Sequence, residues 1–516
     1  MNNRFFAIIF TPLSILLIII ALLSLKWHMV HDAPIFMYFA YLIDHFNYVP
    51  YRDLFDVNLP GTYLIYRVVG RLFGYSDLAF RCFDLLYLSA ILTMTWLYLK
   101  KISRQVAWCS VVLFGLLYLE YGPIMSVQRD YCIILPVTVA LLIASSFPAL
   151  NAVIKSILVG FLFGVTATIK PHAPIGLPLV ILFQAWEARQ QDNKRGSTLF
   201  LFIKIILAAI IGFAIPIIIM FLYLWHTGAL TQFLDMAGNY WPLFGSLSGT
   251  FEVIPGIHRI AYLINEYCKL GSQTLWLVPA GLGVYLSLFH STLTDVQKRL
   301  VLLLLGLAVM YSIYPVFAGK FWQYHWLLFY YFVILLGSLC LVEQAGKTNR
   351  LRRLLPIGLL LLTIFLGLLT PELLLAQFLN VGYQSWNPQN GRVGEIASYL
   401  KSHMNAGDTV QPLDFTGGAI HAMLLAKAEI ATPYPYDILF YYPVSSSYIQ
   451  NLRQKFLISL NEGNCRFVIS IVGDRQWISG PDSTRVFNEL QSQLNSHYRT
   501  VLEGSGYVVY ERMHRF

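Results

Sequence analysis

The sequence has little charge. Only 12% of its 516 residues are Asp, Glu, Lys or Arg, against 57% that are hydrophobic. That balance excludes an ordinary soluble globular chain and places the protein among polytopic membrane proteins. Cysteine is equally scarce. The six cysteines are Cys82, Cys109, Cys132, Cys268, Cys340 and Cys465, and none stands in a CxxC, so neither a zinc site nor a redox pair is indicated. No two histidines have a metal-ligand spacing such as HExxH. No multi-carboxylate cluster stands out, so no cofactor is assigned and dependence on a divalent metal is left open. There is no internal repeat and no low-complexity linker. The first apolar run, Ile8 to Leu25, is too long for a signal-peptide core and is followed by no small-residue cleavage site, so it reads as a retained first span. The net charge of +9 does not argue for nucleic acid as a partner. The basic residues fall in short loops between apolar runs, where they act as topology signals.

What the sequence has in abundance is apolar runs. A span needs about 20 such residues, and about eleven candidates are present, centred on 7–26, 81–99, 105–121, 130–148, 152–169, 173–186, 198–225, 272–290, 299–317, 325–343 and 354–372. The fifth and sixth flank a Lys170-Pro171 break and could instead form a re-entrant unit. With the N-terminus cytoplasmic, Lys100, Lys101, Arg104, Lys155, the Arg189-Lys194-Arg195 group, Lys298-Arg299 and the Lys347-Arg350-Arg352-Arg353 cluster all fall inside. The other face receives residues 27–80, 121–130, 226–271 and everything after about 373. Aromatic residues, 15% of the chain, suit interfacial belts.

The tail changes character. Val393, Ile396, Leu400 and Met404 repeat at helical spacing. AGDTVQPLDF reads as turn and strand, RFVISIV as a buried strand, DSTRVFNELQSQL as a capped helix with Val486, Leu490 and Leu494 on one face, and GYVVYER as a last strand. The expected fold class is therefore an α-helical polytopic membrane protein with a C-terminal α/β extracytoplasmic domain. The expected division is 1–375 for the membrane part, with 27–80 as its first extracytoplasmic loop, and 376–516 for the soluble part.

The first loop is dense in acids, bases and tyrosines. Ile35, Phe39, Leu42 and Ile43 define an amphipathic helix expected to lie in the membrane interface. A second helix, Thr62 to Phe73, follows the Pro60-Gly61 break, with Arg67 and Arg71 placed to face lipid headgroups. Asp32 lies at the exit of the first span, where a carboxylate can meet both a lipid-borne substrate and water. Arg52 offers a planar fork for a phosphate or carboxylate, or pairs with Asp53 to hold the loop. Gln128-Arg129-Asp130 stands at the mouth of the fourth span and must find partners. Lys170 ends the fifth span and either snorkels or binds. Gly319-Lys320-Phe321-Trp322-Gln323-Tyr324-His325 links two later spans on the same face, to which His172, His226 and His258 also belong. Acids and cations from several loops thus gather at one membrane face. Transfer from a lipid-linked anionic substrate needs such a set: a carboxylate to take a proton, and cations to neutralise a departing phosphate.

The pattern resembles the GT-C superfamily of polyprenyl-phosphate-sugar glycosyltransferases, in particular the branch of protein O-mannosyltransferases and bacterial aminoarabinose transferases (families 39 and 83). The matching features are Asp32, PYRDLFDVNLPGTYLIY, FGYSDLAFR, Gln128-Arg129-Asp130, TIKPHAPIGLP and GKFWQYHWLLF, in the family's order. The resemblance implies an inverting glycosyltransferase of the plasma (inner) membrane that carries a sugar from a polyprenyl-phosphate donor to a glycan, lipid or protein acceptor on the outer face. It implies Asp32 as the acidic catalytic residue, Asp130 as a second acid, and Lys170, Lys320 and Tyr324 near the donor; Arg52, Asp53, Arg129 and His325, singled out above by residue type and place, are expected as further donor-phosphate or substrate contacts. One departure stands out. Relatives of the aminoarabinose type have a lysine before the proline pair of the first loop, where this chain reads Val57-Asn58-Leu59-Pro60-Gly61, so phosphate binding must rest on Arg52, Arg129, Lys170 or Lys320. A transporter or flippase for a lipid-linked glycan is the alternative, but it would favour repeats and polar groups at mid-membrane.

Overall fold

The computed structural model describes residues 3–147, 150–191, 198–345, 350–368, 389–463, 465–472 and 478–513. The loop cations Lys194, Arg195 and Lys347, the end of the last expected span and the start of the tail lie outside them. The chain forms two compact units, each discontinuous in sequence. The first comprises residues 1–26, 81–220 and 265–380, the second 27–80, 221–264 and 381–516.

The first unit is helical. Among the described residues, six helices are long and apolar enough to cross a membrane: Phe6–Lys26, Asp77–Leu99, Ala152–Ile169, Leu199–His226, Asp295–Ala318 and Gln323–Leu341. A seventh is added if the broken pair Gly256–Ser272 and Thr274–Phe289 counts as one. The remaining expected spans are also helices, but short ones. Arg104–Glu120 and Arg129–Ser145 have 17 residues each, Leu177–Gln191 has 15, and the apolar part of Arg350–Gly367 begins only at Leu354. Ser103 caps Arg104–Glu120, which ends at the turn through Gly122, and Ser146 ends Arg129–Ser145.

The helix Leu327–Ser338 is apolar on every side and every residue of it is buried, as a helix without a polar face must be. It packs against Arg104–Glu120, Arg129–Ser145, Leu277–Phe289 and Asp295–Ala318. Among its polar ties is Tyr331, whose hydroxyl meets Thr95 at 2.8 Å and Thr138 at 2.9 Å. Helices Ala152–Ile169 and Thr198–His226 approach backbone to backbone at Gly160 and Gly164. A Cβ on Gly160 would strike the Ala209 carbonyl, and one on Gly164 would come within 2.5 Å of that of Phe213. Small residues four apart are the usual means of such contact in membranes.

The second unit contains a mixed five-stranded sheet of order β2-β1-β3-β5-β4, with β1 Thr409–Leu413, β2 Glu429–Ile430, β3 Cys465–Ile471, β4 Tyr498–Gly504 and β5 Tyr507–Arg512. β1 is parallel to both β2 and β3, and the crossovers carry helices Ala419–Ala426 and Ser447–Glu462. β5 runs antiparallel to β3 and β4, the latter through a two-residue turn with Gly506 at φ 78°. The expected strands at 409–413, 465–471 and 507–512 are present. The expected capped helix starts later, at Asn488, and leaves Val486 exposed outside it. Asp482 bonds instead to the Ser445 amide and hydroxyl, both at 2.6 Å, and so does not cap.

The first loop and the tail share this unit. Helix Ala33–Phe46 packs on Pro60–Phe73 and on Ala419–Ala426, and the Tyr38 hydroxyl donates to the Ala428 carbonyl at 2.8 Å. Residues 33–43 are buried without exception, which corrects the expectation of an interfacial helix. Arg67 and Arg71 do not face headgroups: both bind Asp44, at 2.7 Å each, and Tyr75 donates to the same carboxylate at 2.8 Å. Burial raises the Asp44 pKa, but the hydrogen bonds from Arg71, Arg67 and Tyr75 outweigh it and hold the carboxyl below its ordinary range.

Candidate functional site

In the first unit, the expected site residues converge on one buried cluster. Asp130 opens helix Arg129–Ser145, where the helix dipole favours a carboxylate. Lys170 follows helix Ala152–Ile169. Pro171 forces the residue before it into the extended region, and Lys170 sits at φ −142°, ψ 128°. Its ammonium contacts both oxygens of Asp130, at 2.9 and 2.7 Å, and the Tyr314 hydroxyl donates to the same carboxylate at 2.7 Å. Lys170 is only 6% exposed, so it does not snorkel. Its ammonium lies 5.9 Å from the Tyr314 ring and 5.6 Å from that of Tyr324.

The turn Gln323–Trp326 carries Tyr324 and His325, whose rings lie 4.7 Å apart. Trp322 stacks on His325 at 5.6 Å. Lys170, His172, Arg129 and Lys320 all act electrostatically on His325, so the two remaining expected cations belong to this neighbourhood. Lys320 is itself buried. His172 had no assigned role. Its ring lies 4.5 Å from Tyr314 and stacks on Phe317, and burial and the nearby Lys170 charge push its pKa down to about 3. Tyr314 was overlooked altogether. The only signal for it was a hydroxyl beside Pro315 within an apolar run.

The other expected residues belong to the second unit. Asp32 directly precedes helix Ala33–Phe46, is 5% exposed and does not cap the helix with its side chain. His31, at φ 58°, places its Nδ1 3.1 Å from the Asp32 carboxylate. Arg52 and Asp53 pair with each other at 2.8 Å. Arg52 also donates to the Thr227 carbonyl at 3.2 Å, and Asp53 accepts from the Val49 amide at 2.8 Å. Arg52 lines a cleft of about 190 Å³ with Tyr434 and Tyr448. Asn58, at the position of the absent lysine, is buried and donates to both Asp56 oxygens at 3.0 Å. Tyr63 and Tyr436 also donate to Asp56. Among the described residues, no three His, Cys, Asp or Glu are grouped to hold a metal ion.

The class so defined is a helical membrane protein with buried ionisable groups in its membrane unit and a sheet-bearing second unit. Its fold is that of ArnT: the chain is similar to the crystal structure of ArnT from Cupriavidus metallidurans bound to undecaprenyl phosphate, with a TM-score of 0.54 and 10% identity over 97% of each chain. The apo state of that ArnT aligns with a TM-score of 0.42 and 10% identity, over 99% of this chain and 98% of that one. No family model and no curated protein matches the sequence.

Proposed function

We propose that the chain is an inverting membrane glycosyltransferase that moves a sugar from a polyprenyl-phosphate donor to a glycan, lipid or protein acceptor at the outer face of the plasma membrane. The observation that carries this reading is the near full-length likeness of fold to an ArnT solved with undecaprenyl phosphate bound. In this reading about eleven segments cross the membrane, the N-terminus is cytoplasmic, residues 1–375 form the membrane part and residues 376–516 the extracytoplasmic part. Asp32 takes the proton of the acceptor hydroxyl as its oxygen attacks the anomeric carbon. The bond from that carbon to the phosphate oxygen breaks, its electron pair stays with the phosphate, and cations meet the new charge. Asp130 holds Lys170 in place, and Lys170, Lys320, Arg129, Tyr324 and His325 line the donor phosphate. Arg52 and Asp53, already paired, order the first loop.

The test is single-turnover transfer from a panel of radiolabelled polyprenyl-phosphate sugars, beside a separate measurement of donor affinity. Asp32→Asn keeps the shape of the side chain and removes its basicity. It should cut transfer by ~10²–10⁴-fold and leave donor affinity in place. Near-normal transfer would move the role of base to Asp130. No transfer by the wild type from any of the donors would sink the reading.

A further inference from the structure

Two histidines of the membrane unit bury a ring nitrogen that meets no hydrogen-bond partner among the described residues: Nε2 of His172 and Nδ1 of His325. Neutral imidazole has one donor and one acceptor nitrogen, and native proteins leave few buried polar atoms without a partner. Two such atoms in one cluster call for a ligand or a water. Both rings are held in place. His172 lies against Tyr314 and Phe317, at 4.5 and 6.1 Å, and His325 against Trp322 and Tyr324, at 5.6 and 4.7 Å. The two rings are linked through the same ion pair, since Tyr314 bonds Asp130 and Tyr324 faces the ammonium of Lys170. Desolvation and the neighbouring Lys170 charge lower the His172 pKa and so favour the neutral ring.

We propose that His172 is a further donor-binding residue, which together with His325 hydrogen-bonds the phosphate oxygens of the polyprenyl-phosphate through a neutral N–H. This rests on the transferase reading above. When the bond from the anomeric carbon to oxygen breaks, the electron pair left on the phosphate strengthens these two bonds. The contact is therefore tighter to the departing polyprenyl phosphate than to the sugar-bearing donor.

The experiment measures undecaprenyl phosphate binding to the full-length protein in nanodiscs. His172→Phe keeps the flat ring and removes the nitrogen. It should weaken binding about tenfold, as expected for loss of a hydrogen bond to a charged group. His172→Gln, which restores an amide near the position of Nε2, should recover most of the loss. Lys170→Met reports on the site itself. If Lys170→Met weakens binding and His172→Phe does not, the nitrogen holds only a water and the inference falls alone. If neither variant changes binding, the donor site falls with it. Should His172→Phe fail to fold, ¹⁵N-histidine spectra of the wild type read the same atom. The His172 Nε2 signal should move when undecaprenyl phosphate saturates the protein, and an unmoved signal overturns the proposal.

Discussion

Among the described residues, the membrane unit holds two fully buried acid–base pairs, and they differ in one respect. Around Arg81 and Asp84 every polar atom is answered. Arg81 pairs with Asp84 and donates to Ser24 at 3.1 and 2.7 Å and to Ser126 at 3.0 Å. Asp84 accepts further from the Tyr118 hydroxyl at 2.5 Å and the Val127 amide at 3.3 Å. Around Lys170 and Asp130 the ion pair is equally tight, yet buried nitrogens of His172 and His325 beside it have no partner among the described residues. A closed network contributes rigidity and offers nothing to a ligand. An open one leaves polar groups for a ligand or a water to answer. Burial and ionic pairing are common to the two clusters; the unanswered histidine nitrogens beside Lys170 and Asp130 are what distinguish them.

The largest effect expected from this contrast follows removal of one member of the closed pair. Arg81→Leu leaves a buried carboxylate without its cation and should cost roughly 3–5 kcal/mol, read as a drop in the unfolding temperature of purified protein. The double variant Arg81→Met with Asp84→Leu should recover most of that stability and keep transfer activity, because well-packed apolar residues often replace a buried pair at little cost. The matching double variant at the open site, Lys170→Met with Asp130→Leu, should also fold but bind no donor. Retained donor binding there would erase the distinction between the two clusters.

A smaller, pH-dependent effect is expected where a part-buried carboxylate has a titrating partner. In the second unit Asp77 accepts from His28 at 2.7 Å and from the Met29 amide at 2.8 Å, and His421 lies 3.2 Å away. The hydrogen bond to Asp77 raises the His28 pKa above its ordinary 6.5, against the lowering effect of burial. A raised folded-state pKa means that protonated His28 stabilises the fold. That contribution is complete below pH 6.5, the unfolded value, and is lost as pH rises through the folded value. The gap in unfolding temperature between wild type and His28→Gln should therefore be widest in acid and close as pH rises through the folded-state value. A gap independent of pH would show that His28 acts by packing alone.

The smallest effect expected is a null one. Asp56 is closed by Asn58, Tyr63 and Tyr436. Asn58→Lys would pair the new ammonium with Asp56, so donor affinity should stay at the wild-type value although relatives of the aminoarabinose type carry lysine there. A rise in affinity would mean that this cluster is open to the donor after all.

The positions of the helices were legible because apolar length and Pro or Gly breaks are local properties. Lys170-Pro171 ends one helix, and Pro60 starts another at the break foreseen. Strands at Thr409–Leu413 and Cys465–Ile471 were legible for the same reason. The lining of the site was partly legible, since Asp130, Lys170, Tyr324 and His325 each stood out as polar groups beside apolar runs. Which faces are covered was not. The apolar pattern of Ala33–Phe46 promised one buried face, yet the packing of Pro60–Phe73 and Ala419–Ala426 buries nearly all of it. Arg67 and Arg71 looked free for lipid until Asp44 claimed both.

By itself the sequence determined where the chain is helical, where it breaks, and which few ionisable residues must find partners out of water. It could do so because each depends on neighbours a few positions away. Only the tertiary structure decided who those partners are. Asp130 meets Lys170 across 40 residues and Tyr314 across 184, and Asp56 meets Tyr436 across 380. The strength of a buried charge pair depends on distance through space and on what else is desolvated beside it, and neither is written in spacing along a chain.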